Sequence, residues 1–473
     1  MIPVTPYADK TVAVFGLGVS GLATAKALAA GGATAIVWDD GEGARKKAAE
    51  AGFEPTPPAD WPWDKLAALV LSPGVPLTHP KPHPVVKKAH TENVRVIGDI
   101  ELLAETVNAA PAAERPKIVA ITGTNGKSTT TALIGHILNA CGVTAHIGGN
   151  IGEAMLNLPK PRRGAVYVLE LSSYQLDLAH SLKADIAVWL NISPDHLDRH
   201  GGIDGYVAAK KRIFRNQTHD DVCVIGVDDD RSQSVCTEVV AANGRRVIPV
   251  SSGAALGRGV FAVDGVLFSS LDYKAQEVGD LTDAPALQGA HNWQNAAAAF
   301  AVAHTFVSQA DDVLAAMMTF PGLPHRMEEV RRIGNVKFIN DSKATNIEAA
   351  SKALAAYRNI YWIAGGKAKD GDDPAALGLL TPRIAKAYFI GEAAGAFAEA
   401  FENVPQEKSG DLSRAVAAAA QDALAAGSEA VVLLSPACAS FDQFTNFTVR
   451  GDAFRDAVLA IGSEANGAGG AAA

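Results

Sequence analysis

Cysteine is scarce in this chain. Four occur in 473 residues, as Cys141, Cys223, Cys236 and Cys438, with no Cys-x-x-Cys pair among them. Their spacing excludes a disulfide framework and a thiolate zinc site and suits reduced thiols in the cytosol. Long apolar runs are missing as well: no window approaches roughly 18 consecutive apolar residues. Nor does the chain start with a basic segment followed by an apolar signal core. A cytoplasmic protein without membrane spans is expected. Positive charge is in deficit, with 42 Lys and Arg against 51 Asp and Glu and a net charge of −9. Lys210-Lys211-Arg212 is short and sits in a helical pattern, so nucleic acid is not an expected partner. What remains is ordinary for a globular protein: 48% hydrophobic and 20% charged residues predict a sizeable core. The length suits about three domains.

The most informative stretch is Thr122-Gly123-Thr124-Asn125-Gly126-Lys127-Ser128-Thr129. Before it, Lys117 to Ile121 reads as a buried strand. After it, Thr130 to Ala140 has helical spacing, with Leu133, Ile134, Ile137 and Leu138 on one face. Strand, Gly-rich turn and helix start is the arrangement in which backbone N–H groups wrap a phosphate chain, with Lys127 on the β/γ-phosphates and the Ser128 hydroxyl on Mg²⁺. The P-loop match is partial, because Ile121 stands where the pattern wants glycine; Gly123 supplies a flexible site inside the turn. The bland alternative is a Gly-rich strand-to-helix turn with a solvated lysine, and the strand and helix context favours the triphosphate site.

An α/β rhythm runs along the whole chain. Strands are expected at Thr11 to Phe15, Ala35 to Trp38, Leu66 to Leu71 and near Val94 to Ile97, with a helix over Leu22 to Ala30. A Pro/His-rich loop covers Pro76 to Pro84, and the Ala/Pro-rich segment Asn108 to Pro116 reads as a first boundary. Further strands are expected at Ala165 to Glu170, Ile186 to Asn191 and Val222 to Val227. A more β-like stretch, Arg246 to Gln276, precedes a helix from Asn292 to Thr305. Pro321-Gly322-Leu323-Pro324 reads as a second boundary, followed by strands at Val336 to Asn340, Ile360 to Ala364, Ala387 to Ile390 and Ala430 to Leu434. The tail from Ser463 to Ala473 is Gly/Ala-rich and expected to fray. The economical reading is three α/β domains with mostly parallel sheets: a Rossmann-like domain over 1–107, a central P-loop ATPase domain over 108–322, and a second Rossmann-like domain over 323–473.

Gly16-x-Gly18-x-x-Gly21 follows a strand and opens a helix, with Asp39 about 20 residues on, as in the dinucleotide fingerprint. Physically it provides a helix N-terminus able to hold a diphosphate. Both a nicotinamide dinucleotide and a UDP group satisfy that. Beyond the P-loop stand Gly148-Gly149-Asn150-Ile151-Gly152, read as a turn, and Glu170 at the end of a buried strand. Asn191-Ile192-Ser193-Pro194-Asp195-His196 follows another strand, and Tyr206-x-x-Ala209-Lys210 is read as beginning a helix. Strand ends are where α/β sheets place ligands, and a carboxylate beside a P-loop suits Mg²⁺. Singly, Glu170 could be a helix cap, His196 a loop histidine and Lys210 a solvated residue; their clustering argues for a site.

Together these segments, with His291-Asn292-Trp293-Gln294-Asn295 and Gly322-Leu323-Pro324-His325-Arg326, resemble the Mur ligases, ATP-dependent amide-bond-forming enzymes of peptidoglycan synthesis. Asn340-Asp341-Ser342-Lys343-Ala344-Thr345-Asn346 and the run Ser435 to Phe444 resemble the branch of that family that adds D-glutamate. The Asp-Asn-Pro-Arg type of motif expected of the diaminopimelate- or lysine-adding branches is absent from the sequence.

The resemblance implies the substrates ATP, UDP-N-acetylmuramoyl-L-alanine and D-glutamate, two Mg²⁺ ions, and an acyl-phosphate intermediate formed by a monomer. It implies a phosphate cradle of Gly123, Thr124, Asn125, Gly126, Lys127, Ser128 and Thr129, with Asn150 at the substrate. Ser128 and Glu170 would hold the first metal and His196 the second, with Lys210 carrying a CO₂-derived carbamate that turns a cation into an anionic ligand. Asn292 and Asn295 would meet the adenine, and Arg326 and Asp341 would complete the ATP site as the third domain closes. Lys343, Thr345, Lys369, Ser440 and Phe447 would receive D-glutamate, with Lys369 preferred over Lys367. Val19, Ser20, Asp39, Asp40 and Ser72 would frame the uridine diphosphate. Three rivals remain. A folylpolyglutamate synthase would begin with its ATPase domain, a dehydrogenase leaves the P-loop and Lys210 unexplained, and a non-catalytic regulator needs no Glu170, His196 and Lys210 together.

Overall fold

Three β-sheets organise the protein, whose computed structural model describes residues 1–242, 244–368 and 372–461. The first sheet holds β1 (Thr11–Phe15), β2 (Thr34–Trp38), β3 (Leu66–Leu71) and β4 (Val96–Ile97) in the order β2-β1-β3-β4, all parallel. Strands buried on both faces read as continuous apolar runs, as β3 does with Leu-Ala-Ala-Leu-Val-Leu.

The second sheet is built from β5 (Lys117–Thr122), β6 (Ala145–Gly149), β7 (Val166–Glu170), β8 (Ile186–Trp189), β9 (Val222–Gly226), β10 (Arg246–Ser251), β11 (Val260–Val263), β12 (Val266–Ser269) and β13 (Gln276–Asp280). Their order is β13-β12-β11-β10-β9-β8-β5-β7-β6. Only the pairings of β12 with β11 and β13 are antiparallel; these make the β-rich stretch expected from Arg246 onward. The third sheet holds β14 (Glu328–Ile333), β15 (Val336–Asn340), β16 (Ile360–Gly365), β17 (Ile384–Ile390), β18 (Gln406–Gly410) and β19 (Ala430–Leu434) in the order β14-β15-β19-β16-β17-β18, with β14 antiparallel.

The chain gathers into two compact units, Met1–Phe320 and Pro321–Ala473. One hydrophobic cluster runs from Ile2, Val14 and Leu103 in the first-sheet region to Leu169 and Trp189 in the second, which makes the first two sheets a single unit. Buried Glu101 adds a polar tie, accepting the backbone N–H groups of His180 at 2.7 Å and Ser181 at 2.8 Å. The second unit packs Trp362 against Phe389, Phe397 and Phe401. Among the described residues no helix is long and apolar enough to cross a membrane.

Several elements differ from the sequence pattern. Edge strands β14 and β18, Glu-Glu-Val-Arg-Arg-Ile and Gln-Glu-Lys-Ser-Gly, are polar and half-exposed, so no apolar run announces them. Gly148 and Gly149 end strand β6 instead of forming a turn. The helix carrying Tyr206 and Lys210 spans Ile203–Lys211, so that segment closes a helix instead of opening one. The phosphate-loop helix starts at Lys127, three residues before its apolar pattern does. The expected fraying of Ser463 to Ala473 lies outside the described residues.

Candidate active site

Sheet order builds the site in the first unit. Strand β5 lies between β8 and β7, so the loops leaving their C-terminal ends are neighbours. The chain reverses its direction of strand addition there, the switch point at which open α/β sheets bind ligands. The loop after β5 turns at Gly126, whose φ of 82° is left-handed; a Cβ there would lie 2.2 Å from Asn295 Oδ1, so glycine is needed twice over. Asn191, just beyond β8, donates through Nδ2 to the Asn125 carbonyl at 3.2 Å and accepts the Asn125 N–H at 2.9 Å. Its carbonyl accepts the Thr124 N–H at 3.0 Å. Gln294 Oε1 accepts from Asn191 at 3.3 Å. These two amides brace the loop; both stood inside quoted motifs, but neither spacing nor composition marked them out.

Charge is concentrated at this edge. Lys127 Nζ donates to the carbonyls of Gly123 at 2.9 Å and Thr124 at 2.8 Å, while Ser128 is half-buried and Thr129 buried at the helix start. Lys210 is 1% exposed and donates to the Gly123 carbonyl at 2.8 Å. Burial, and after it the nearby Lys127 cation, pushes the Lys210 amine far below an ordinary lysine pKa. Glu170 ends β7 and is buried; Asn150 donates to its Oε1 at 3.2 Å, and its Oε2 has no hydrogen-bond partner. A buried carboxylate oxygen without a partner is costly, and a hard divalent cation satisfies it. Glu170 therefore fits Mg²⁺. Among the described residues no group of three or more His, Cys, Asp or Glu side chains forms a ready-made metal cage. His196 is half-exposed with a left-handed φ of 52°. Desolvation lowers its pKa, Asp195 acts to raise it, and Lys127 and Lys210 act to lower it.

Asn292 and Asn295 are buried and joined, Asn295 Nδ2 donating to Asn292 Oδ1 at 3.2 Å. Thr130, in the phosphate-loop helix, donates to Asn295 at 3.2 Å. The pair thus sits directly beside the phosphate loop.

A second Gly-rich loop lies at the first sheet's switch point between β1 and β3. A Cβ on Gly16 would meet Ser72 Cβ at 2.4 Å, and one on Gly21 would meet the Gly16 carbonyl at 1.8 Å, whereas nothing lies within 4 Å of Gly18. Asp39 accepts the N–H groups of Leu17 at 2.6 Å and Gly41 at 2.7 Å, Asp40 pairs with His83 at 3.1 Å, and Val19 and Ser20 open the helix Val19–Ala30. These five candidates therefore share one edge.

In the second unit three neighbouring loops are laced together. Asp341 N–H donates to the Leu434 carbonyl at 2.8 Å, and Lys367 N–H to the Ala439 carbonyl at 2.8 Å. Ser435 Oγ donates to Asp341 at 2.9 Å. Burial pushes the Asp341 carboxyl up to about 7, against the opposing pull of Ser435 and Arg326. Lys343 Nζ lies 4.1 Å from the centre of the Phe447 ring, and Ser440 is buried on the adjoining loop. Thr345 follows on the Lys343 turn, its N–H bonded to the Lys343 carbonyl at 2.8 Å. Lys369 lies outside the described residues, while Lys367 is exposed.

Known proteins resemble the chain over nearly its whole length. A family model described as the Mur ligase middle domain matches residues 121–303, and one described as the Mur ligase glutamate ligase domain matches residues 325–438. The chain is 58% identical over 461 residues to the UDP-N-acetylmuramoylalanine--D-glutamate ligase of Caulobacter vibrioides, covering 97% of each chain. It is 57% identical over 459 residues to the protein of that name in Phenylobacterium zucineum, covering 97% of this chain and 98% of the other. Among solved structures, UDP-N-acetylmuramate-alanine ligase MurC from Thermotoga maritima matches with a TM-score of 0.56 at 16% identity, over 95% of this chain and 99% of that one. The latter likeness is one of fold.

Proposed function

Because the chain belongs to the Mur ligase family, we infer that it is an ATP-dependent amide ligase joining D-glutamate to UDP-N-acetylmuramoyl-L-alanine. It acts as a cytoplasmic monomer in peptidoglycan precursor synthesis. The observation that carries the chemistry is the buried Glu170 carboxylate, with one unpartnered oxygen, at the strand end beside a lysine-bearing phosphate loop. Joining a carboxylate to a triphosphate brings two anions together, and only fixed positive charge makes that encounter favourable.

A carboxylate oxygen of the UDP-linked substrate attacks the γ-phosphorus of ATP, and ADP leaves. The D-glutamate amine then attacks the acyl carbon; phosphate leaves and the nitrogen loses a proton. Residues Gly123 to Thr129 cradle the phosphates, with Lys127 neutralising charge as it develops, and Asn150 and His196 orient the acyl group. Ser128 and Glu170 would hold one Mg²⁺ and His196 and Lys210 a second, and the ions would supply Lewis-acid charge. Lys210 serves as a carbamate: its neutral amine bonds to CO₂ and loses a proton, giving an anion where an ammonium would be repelled. The depressed basicity of this buried amine supports that reading. Residues 1–107 receive the UDP group through Val19, Ser20, Asp39, Asp40 and Ser72, and 108–322 bind ATP, with Asn292 and Asn295 at the adenine. Residues 323–473 supply Arg326 and Asp341 to ATP, and Lys343, Thr345, Lys369, Ser440 and Phe447 to D-glutamate.

Phosphate release from ATP tests the reading. Turnover should need both UDP-N-acetylmuramoyl-L-alanine and D-glutamate, with L-glutamate a poor substitute, because a site that fixes two carboxylates and an amine is chiral. Comparable rates with the two enantiomers would overturn the substrate assignment.

A further inference from the structure

Behind His196 lies a buried cluster that none of these roles uses. His200 is 8% exposed. Its Nε2 stands 2.9 Å from Ser173 Oγ and its Nδ1 3.2 Å from Asp177 Oδ2. Ser173 and Asp177 are the first and last residues of the short helix Ser173–Asp177, which begins three residues after Glu170. A Ser-His-Asp relay suggests a nucleophile, but Ser173 is 2% exposed, and a sealed hydroxyl cannot reach an acyl group. The relay is left with orientation as its task. Asp177 accepts a hydrogen bond from Nδ1–H, so in the neutral ring Nε2 accepts from the Ser173 hydroxyl and the ring is held from both ends.

Two aromatic rings lean on this fixed imidazole. Tyr174 stacks on His200 with centroids 5.4 Å apart and planes 14° apart, and its ring lies 5.1 Å from that of His196. The Arg199 guanidinium sits 4.7 Å from the Tyr174 ring centre and donates to the Gly74 carbonyl at 3.1 Å. On the other side of the network, Tyr206 lies 5.5 Å from His200, and its hydroxyl is 3.2 Å from Thr124 Oγ1 in the phosphate loop. His196 itself is half-exposed on a left-handed backbone, with its Nε2 3.4 Å from Asp195 Oδ2 and its ring set against Tyr174.

We propose that His200 is a positioning residue: pinned by Ser173 and Asp177, it holds Tyr174 as the platform against which the His196 imidazole stands. The kinetic consequence rests on the role of His196 in the ligase reading; the platform itself does not.

A double-mutant cycle on the full chain tests the coupling. His200→Ala should lower kcat about tenfold and raise the Mg²⁺ concentration for half-maximal rate, but cost under about twofold in a His196→Ala background, because interacting positions are non-additive. Tyr174→Leu, at a half-exposed side chain, should reproduce both results and replaces His200→Ala should that variant fail to fold. In parallel, NMR at fixed pH reads the ring-current shift that Tyr174 imposes on the His196 ring protons. The shift should be lost in His200→Ala and kept in His200→Phe, which retains the stacked ring. Equal losses in the two backgrounds, or His196 protons unmoved in a folded His200→Ala protein, would overturn the proposal. If the native chain releases no phosphate with all three substrates, the ligase reading fails and the NMR result alone decides the platform.

Discussion

The two Gly-rich loops of the first unit share one plan and differ in charge. Each leaves the C-terminal end of a parallel strand at a switch point and opens a helix: Gly16 to Gly21 after β1, and Gly123 to Gly126 after β5. Around the first, glycines make room, and the nearby Asp39 spends its oxygens on the loop's own N–H groups. Around the second, two lysines converge on the same Gly123 carbonyl and a buried carboxylate is left with an open oxygen. Backbone N–H groups are enough to hold a diphosphate. Changing a phosphate bond needs charge placed in advance. In the proposed function the first loop binds and the second does chemistry.

Removing that charge should have the largest effect. Lys127→Ala should reduce turnover by on the order of 10³-fold with little change in melting temperature, since the lysine bonds to loop carbonyls and not to the core. A loss within about tenfold, only ~1.4 kcal/mol of barrier, would place Lys127 away from the phosphates. Lys210→Ala comes next, at roughly a hundredfold in rate. Acetate or propionate should restore part of it by supplying the missing carboxylate; a folded variant that no short acid rescues would sink the carbamate.

The binding loop should respond differently. Gly21→Ala forces a methyl group against the Gly16 carbonyl, so it should cost about 1–3 kcal/mol of stability. It should also weaken binding of the UDP-linked substrate several-fold in titration calorimetry while leaving ATP affinity intact. Loss of ATP affinity instead would mean that the two loops do not divide the work as described.

The smallest effect expected lies in the second unit. Asp341 has a folded pKa of about 7, above the usual unfolded value of about 3.9, so the folded state binds the extra proton. Its stabilising contribution is complete below about pH 4 and is lost as pH rises towards about pH 7. Melting temperature should fall as pH rises through that window, and Asp341→Asn should flatten the slope.

How much of this was legible depended on the kind of signal. Core strands such as β1, β3, β15 and β19 announce themselves to the residue, because a strand buried on both faces has mostly apolar positions. Edge strands β14 and β18 do not, since half their surface meets water. The Gly-rich turn after β5 and the carboxylate ending β7 stood out in the sequence because such residues at such spacing are rare. Tyr174, Arg199 and His200 were not, because aromatic and basic residues near a helix have many ordinary uses.

The sequence by itself determined the α/β class and both Gly-rich loops, since each follows from local periodicity or from a motif a few residues long. Tertiary structure alone decided that β5 lies between β7 and β8, that Asn191 and Gln294 brace the phosphate loop, and that Glu170 is left with one oxygen open. It also joined the first two sheets through a single core. Those outcomes depend on which strand ends become neighbours and which atoms lose their water, and both are set by contacts between residues far apart in the chain.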